Sequence, residues 1–425
     1  MPLRALVAAC IAVTLAAGGG QDASARTASC RPGRPVTPDG PSANAVSLGP
    51  VNGHQVDAVV YPRPDQRGDP WSQWGQGLVL DDGRFLSAAG DHLGADGNSY
   101  LFMYDPGRRR IVRFTDVLSH VHHRKGEWGY GKIHAQMVRE SCRTALIATY
   151  WGTDKDLRYG GSYRGDHLFR LDTTTLKLEN VDVPVPKHGI PTLAGDLRRG
   201  LLYGEAVVPT PADATGSEQG AFFAYDIAAH RIAFRADDER LTGLRNVMVD
   251  KDGAAYLAAA GGRLLVYEPG SEALRVVRER LPGGGTLRAS TKPGPDGSVY
   301  GVTARPQRLF ALRPDGRIDD LGPAGRYTTS MALAPDGSRF FYVPGAFGDS
   351  SKEGTPLVAV DTKSGKATTV AKLNDVVERK LGLTLGGSYS VAIDRSGARL
   401  YIGINAGRDR EDAWGEVVLL VVHLS

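Results

Sequence analysis

Two short segments of the chain concentrate side chains that move protons. The first is Gly90-Asp91-His92, followed closely by Gly97-Asn98-Ser99-Tyr100; the second is Gly129-Tyr130-Gly131-Lys132-Ile133-His134. A third stretch adds phenols and a cation: Thr149-Tyr150-Trp151-Gly152, then Tyr159 to His167, which contains Tyr163 and Arg164. An imidazole titrates near neutral pH and serves as base or acid, and a phenol can protonate a leaving oxygen. A guanidinium holds a carboxylate or sulfate through a fork of N–H donors. His92 and His134 are thus the candidate base and acid, Tyr163 and Tyr150 the candidate phenols, and Arg164 an anion partner. The competing reading packs Tyr163 inside its strand. Between the two histidine motifs lies Ser119-His120-Val121-His122-His123-Arg124, a polar insertion with no acidic or Cys partner at metal-ligand spacing. It reads as a solvated lid, with zinc on His120 or His122 as the rival, and no metal is assigned to the site.

These residues need a scaffold, and the chain repeats itself. An apolar strand, a tight turn and a second apolar strand recur around Asp82-Gly83, Ser141-Cys142-Arg143, Arg199-Gly200, Asp252-Gly253, Asp296-Gly297, Asp336-Gly337 and Ser396-Gly397, at intervals of 40 to 60 residues. After each turn comes another apolar run that usually ends in an acid, as in Phe102-Met103-Tyr104-Asp105 and Phe223-Ala224-Tyr225-Asp226, then a turn and a further strand. Four strands per unit is the size of a propeller blade. The pattern predicts an all-β, seven-bladed β-propeller over residues 46–425. The last unit ends after its third strand, and a spare strand at Val56–Tyr61 precedes the first unit, so the N-terminal strand is expected to complete the last blade and close the ring. A pair of β-sandwiches is the alternative.

In a propeller the innermost strand of each blade lines the axial channel. Counting back about eight residues from each turn places Trp74, His134, Pro191 with His188 nearby, Arg245, Arg288, Thr329 with Tyr327, and Tyr389 at one mouth. Arg245 and Arg288 could clamp an anion, whereas Trp74, Tyr327 and Tyr389 offer flat faces to sugar rings. The competing reading pairs both arginines with acids at blade junctions.

The seven units, Gly90-Asp91-His92, Gly131-Lys132-Ile133-His134 and the Tyr163–His167 stretch together resemble the secreted seven-bladed propeller polysaccharide lyases, the ulvan lyases and rhamnose-glucuronate lyases among them. The motifs lie within residues 70–210, and the remainder corresponds only as fold. The resemblance implies β-elimination at a uronic acid of an acidic polysaccharide or oligosaccharide. His134 and His92 would be base or acid, Tyr163 or Tyr150 the partner acid, and Arg245, Arg288 or Arg164 the carboxylate clamp. The His-rich insertion enlarges the spacing between the two histidines beyond the family's pattern. No cofactor is required by this chemistry, and a structural calcium or zinc is left open. A calcium-dependent lactonase would need acids and amides at the mouth, where Asn246 is the main example. A glycosidase would need a carboxylate pair. A propeller that binds glycan or protein without chemistry is the third rival.

The chain has 425 residues, 41% hydrophobic and 23% charged, which suits a large soluble core. Its N-terminus reads as a signal peptide over residues 1–25: Arg4, an apolar run from Ala5 to Ala17, and the small-residue pattern Ala23-Ser24-Ala25. Export with cleavage near Ala25 is expected, then a flexible lead-in over residues 26–45. A lipoprotein site at Cys10 fits poorly, because the apolar run continues past it. Loss of Arg4 and Asp22 leaves the net charge at +4, too mild for a nucleic-acid binder. No membrane span and a monomer are expected. Cys30 and Cys142 would remain, either as a disulfide or as two free thiols.

Overall fold

Burial on both faces separates the inner strands from the outer ones. Arg399–Gly407 and Glu416–His423 are almost entirely buried apolar runs, whereas Arg231–Ala236 alternates and Arg275–Arg280 lies largely exposed. A sheet whose inner part is covered on both sides and whose rim meets water is one blade among others stacked face to face. The computed structural model describes residues 35–65, 71–150, 162–207, 220–241 and 245–424. They form seven antiparallel sheets, five of four strands and two of five. The innermost strands are Leu78–Val79, Val138–Arg139, Gly189–Asp196, Met248–Val249, Thr286–Ser290, Met331–Leu333 and Thr384–Ile393, heading blades 1 to 7 in order. The chain is a seven-bladed β-propeller.

The two five-stranded sheets share the N-terminal segment. In blade 7, His54–Val60 pairs antiparallel with Glu416–His423, with Val59 opposite Leu419 and Val60 opposite Val418, and Val46–Val51 adds outside it. Upstream, Ser42–Asn44 pairs with Arg110–Asp116 on the outer edge of blade 1. Within the segment expected as a flexible lead-in, the backbone therefore already adds a strand, because the outermost strand of blade 1 offers it an unpaired edge. Further up, the Val36 N–H donates to Thr174 O of blade 2 at 2.8 Å. Cys142, also in blade 2, is disulfide-bonded, and its partner lies outside the described residues, as do residues 1–25.

The recurring acids are turn builders. Asp105 Oδ1 accepts the N–H groups of Gly107 and Arg108 at 2.8 and 3.0 Å, and Asp172 and Asp226 do the same for the residues two and three positions on. Asp250, Asp296 and Asp336 serve the inner-strand turns in the same way. The glycines of those turns, Gly83, Gly253, Gly297 and Gly337, sit at φ between 73° and 86°, where a side chain would be strained. The recurring turn acids thus gather at one end of the channel, and the longer connections at the other.

Adjacent blades lock through aromatic rings. Tyr401 of blade 7 stacks on Phe85 of blade 1 at 5.2 Å, and its hydroxyl donates to Gly83 O at 2.9 Å. Tyr203 of blade 3 reaches Gly253 O of blade 4 in the same manner. The short helix Asn374–Leu381 has no counterpart among the described residues of the other blades and sends Val376 and Val377 into the core between blades 6 and 7. Val56, fully buried in that same core, tests the seam: Val56→Asp should lower stability by more than about 3 kcal/mol in urea denaturation, since it buries an unpaired carboxylate. Val46→Asp, on the exposed neighbouring strand, should change it by less than about 0.5 kcal/mol.

Candidate active site

Glycine lets the loops of blades 1 and 2 press backbone against backbone. His92 N–H donates to Gly131 O at 3.0 Å, Gly129 N–H to Gly94 O at 2.8 Å and Tyr130 N–H to Gly97 O at 2.7 Å. A Cβ on Gly131 would stand 2.5 Å from Asp91 Oδ1, and one on Gly129 would stand 2.1 Å from Gly97 O. These contacts fix the path into the inner strand of blade 2. Lys132 and His134, two residues apart in extended backbone, then share a face. Tyr150 joins them because its N–H donates to Lys132 O at 2.7 Å.

His134 is 9% exposed, and its Nδ1–H donates to Pro191 O of blade 3 at 2.7 Å. That bond leaves Nε2 as the lone-pair nitrogen of the neutral ring. The Tyr150 ring lies 5.4 Å from the imidazole, and Arg245 Nη1 donates to the Tyr150 hydroxyl at 3.5 Å. Burial holds the His134 pKa well below the usual imidazole range, and the charges of Lys132, Arg245 and Arg288 push it the same way. A neutral base among three cations from three different blades is the electrostatic signature of the mouth.

Aromatic rings wall the other side. Trp74 carries the Lys132 ammonium over its face at 4.1 Å and stacks on His92 at 5.2 Å and on Trp414 at 5.4 Å. Tyr389 packs 4.6 Å from Trp74 and 5.7 Å from Phe347, which is 55% exposed. Arg288 Nε donates to the Tyr327 hydroxyl at 2.6 Å, and the Tyr327 ring lies 5.3 Å from Phe347.

The structure therefore brings together His134, Tyr150, Arg245, Arg288, Trp74, Tyr327, Tyr389 and, behind Trp74, His92. Tyr163, Arg164 and His188 stand outside this group. Tyr163 is fully buried among Trp128 and Tyr130, and its hydroxyl donates to His188 O at 2.9 Å. The His188 ring turns back to Pro186 O, and Arg164 is exposed, its charge acting on Tyr130 and His167. In the insertion, His120 meets the Thr115 hydroxyl and His123 the Glu127 carbonyl. Among the described residues no group of three or more His, Cys, Asp and Glu side chains could hold a metal ion. Trp151 and Tyr159 lie outside the described residues.

Sequence reasoning passed over three residues of the mouth. Lys132 was within reach, since it stands two positions before His134 in a strand. Trp414 and Phe347 come from long loops between second and third strands, where no periodicity announces them.

No protein-family model and no curated protein sequence matches the chain. Among solved structures, it is similar in fold to an oligogalacturonate lyase from Vibrio parahaemolyticus, with a TM-score of 0.57 and 13% identity over 91% of this chain and 99% of the other. An oligogalacturonate lyase in complex with manganese gives 0.56 and 11% over 92% and 99%. A virginiamycin B lyase from Staphylococcus aureus gives 0.55 and 9% over 88% and 100%. At these identities the likeness is one of architecture.

Asp91 supplies a test of the loop contacts. Its carboxylate, 1% exposed, accepts the N–H groups of Leu93 and Asn98, yet burial outweighs these bonds and raises its pKa to about 6. Because the folded value lies above the unfolded one, the folded state binds the extra proton, and stability is lost as pH rises from below 4 through 6. The loss should be about 2–3 kcal/mol in denaturant titrations across that window. Asp91→Asn should flatten that part of the profile.

Proposed function

We propose that the protein is an exported lyase that cleaves a uronic-acid-containing oligosaccharide or polysaccharide by β-elimination at this channel mouth. The observation that carries the reading is His134: a neutral imidazole with Nε2 available, next to a phenol and three cations. The C5 proton of a uronate is weakly acidic until the charge of its carboxylate is offset. Arg288 and Arg245, with Lys132, would take the carboxylate. Nε2 of His134 removes the C5 proton, the C5–H electron pair becomes the C4=C5 double bond, and the C4–O bond breaks. The leaving oxygen takes the Tyr150 proton, and Tyr150 recovers it from the imidazolium by way of solvent.

The cations have a second effect in this scheme. In the free protein they depress the basicity of His134, and a bound carboxylate cancels part of their field. The base thus strengthens when a substrate of the right charge arrives, and a neutral sugar would leave it weak. Phe347, 55% exposed, and the partly exposed Trp414 offer faces for neighbouring rings of the chain, whereas Tyr389, expected to stack on sugar, is 3% exposed and backs them from below, because Trp74 and Phe347 pack over it. The solved lyases of the same architecture include two named for oligogalacturonate, which makes galacturonate oligomers the first substrates to try, ahead of ulvan and rhamnose-glucuronate polymers.

The test is the ultraviolet absorbance of the unsaturated product over a panel of uronate glycans. His134→Ala and Tyr150→Phe should each lower kcat by about 10²–10⁴-fold with the fold intact. Arg288→Ala should raise KM by roughly 10–100-fold. The acid limb of kcat/KM should lie below the usual imidazole range, and Lys132→Met should move it to higher pH, because one of the charges that depress His134 is gone. Glycan binding on calorimetry without any absorbance change would replace the lyase with a binding propeller.

A further inference from the structure

Below the mouth, a second layer of polar groups joins the blades round the axis, each one or two positions past a mouth residue. Gln136 follows His134, Asn246 follows Arg245, Ser290 follows Arg288, and Gln76 follows Trp74. Gln136 Nε2 donates to Asn246 Oδ1 at 3.0 Å, and Asn246 Nδ2 to Ser290 Oγ at 2.8 Å, which links blades 2, 4 and 5. Blade 3 joins through Thr192, whose hydroxyl donates to Gln136 Oε1 at 2.9 Å. In the other direction Met137 N–H donates to Gln76 O at 3.0 Å, Gln76 Nε2 to Val391 O at 2.9 Å, and Val391 N–H to Ser330 Oγ at 2.8 Å, which adds blades 1, 7 and 6. Between blades 5 and 6 the link lies one layer higher, from Arg288 Nε to the Tyr327 hydroxyl at 2.6 Å. The hydrogen bonds thus run round the whole ring, and one of them belongs to the mouth itself.

Two features single out Asn246. It is 3% exposed, and both ends of its amide are spent on neighbours from other blades. It also stands between the base and the clamp. On one side, Gln136 is two residues from His134, and it holds Thr192, the neighbour of Pro191, whose carbonyl fixes the His134 ring. On the other, Ser290 is two residues from Arg288, and Arg245 precedes Asn246 in the chain. Lys132, Arg245 and Arg288 carry like charge and act together on His134, so they also repel one another. A chain of buried amides and hydroxyls resists that repulsion, because a broken link leaves a polar group without a partner.

We propose that this belt, with Asn246 as its keystone, holds the cationic clamp in register with the base, and that Asn246, Gln136 and Ser290 are positioning residues of the mouth. They touch no substrate; they set where Arg245 and Arg288 stand relative to His134. Their part in turnover rests on the proposed elimination, whereas the arrangement of charges they hold is a property of the free protein.

The test is therefore the protonation of the His134 imidazole, followed by NMR in the free protein. In Asn246→Leu the clamp is no longer tied to the base, Arg245 and Arg288 move apart, and the ring should protonate at least about 0.5 pH unit higher as their field weakens. Ser290→Ala, a milder break, should shift it in the same direction, and it carries the test if thermal melts show that the Leu variant does not fold. Ser290→Thr keeps the hydroxyl and should keep the wild-type titration. Thr303→Val removes a fully buried hydroxyl outside the belt, bound to Pro306 O, and should leave His134 unchanged. Where elimination is observed, kcat should fall about 10–100-fold in Asn246→Leu with KM within about threefold, because the carboxylate is still bound but misplaced. The proposal is overturned if the folded belt variants titrate as the wild type does, if Ser290→Thr shifts His134 as far as Ser290→Ala, or if Thr303→Val does. The belt would survive a protein without lyase activity, and the lyase reading would survive the failure of the belt.

Discussion

The contact on which the rest depends is the one between neighbouring blades. Within a blade, hydrogen bonds hold the strands, but nothing in a single sheet brings His134, Arg245 and Arg288 together, since they belong to blades 2, 4 and 5. Face-to-face packing does so. Pairs such as Phe85 on Tyr401, with the Tyr401 hydroxyl bound to Gly83 O, fix the angle between two sheets and therefore the direction in which each inner strand meets the axis. Seven such junctions turn separate sequence repeats into one funnel.

The two ends of that funnel differ for a reason rooted in chain direction. Every inner strand runs the same way, so the tight first turns collect at one end, and the connections between blades and between second and third strands collect at the other. Tight turns need Asp and Gly, and the acids there are consumed by backbone N–H groups. Longer loops are free to carry Trp, Phe, His and Lys. The cationic and aromatic character of the mouth is the complement of the acidic turns opposite, and both follow from the one repeat.

This also explains what could be read from the residues alone. The blade count was legible because Asp-Gly turns and acid-terminated strands recur, each with a local physical cause. The mouth positions on inner strands were legible too, because a fixed count back from each turn reaches Trp74, His134, Arg245 and Tyr389. Positions off those strands were not. Tyr163 and Tyr150 look alike in sequence, yet one lies in the core with its hydroxyl on His188 O and the other beside His134, and only the packing of blades 1 and 2 separates them.

The N-terminal segment runs from Thr174 of blade 2, across the edge of blade 1, to Leu419 of blade 7. In time, this means that the strand His54–Val60 is made early and finds its partner only when Glu416–His423 has been made. Its pairing has the longest sequence separation among the described strands, so its loop-closure entropy is also the largest of theirs. Until then one blade lacks an outer half and its edge stays open to other chains. Closure of the ring is therefore set as a late event in folding, and the order of synthesis, rather than any single interaction, decides how long the unfinished edge is exposed.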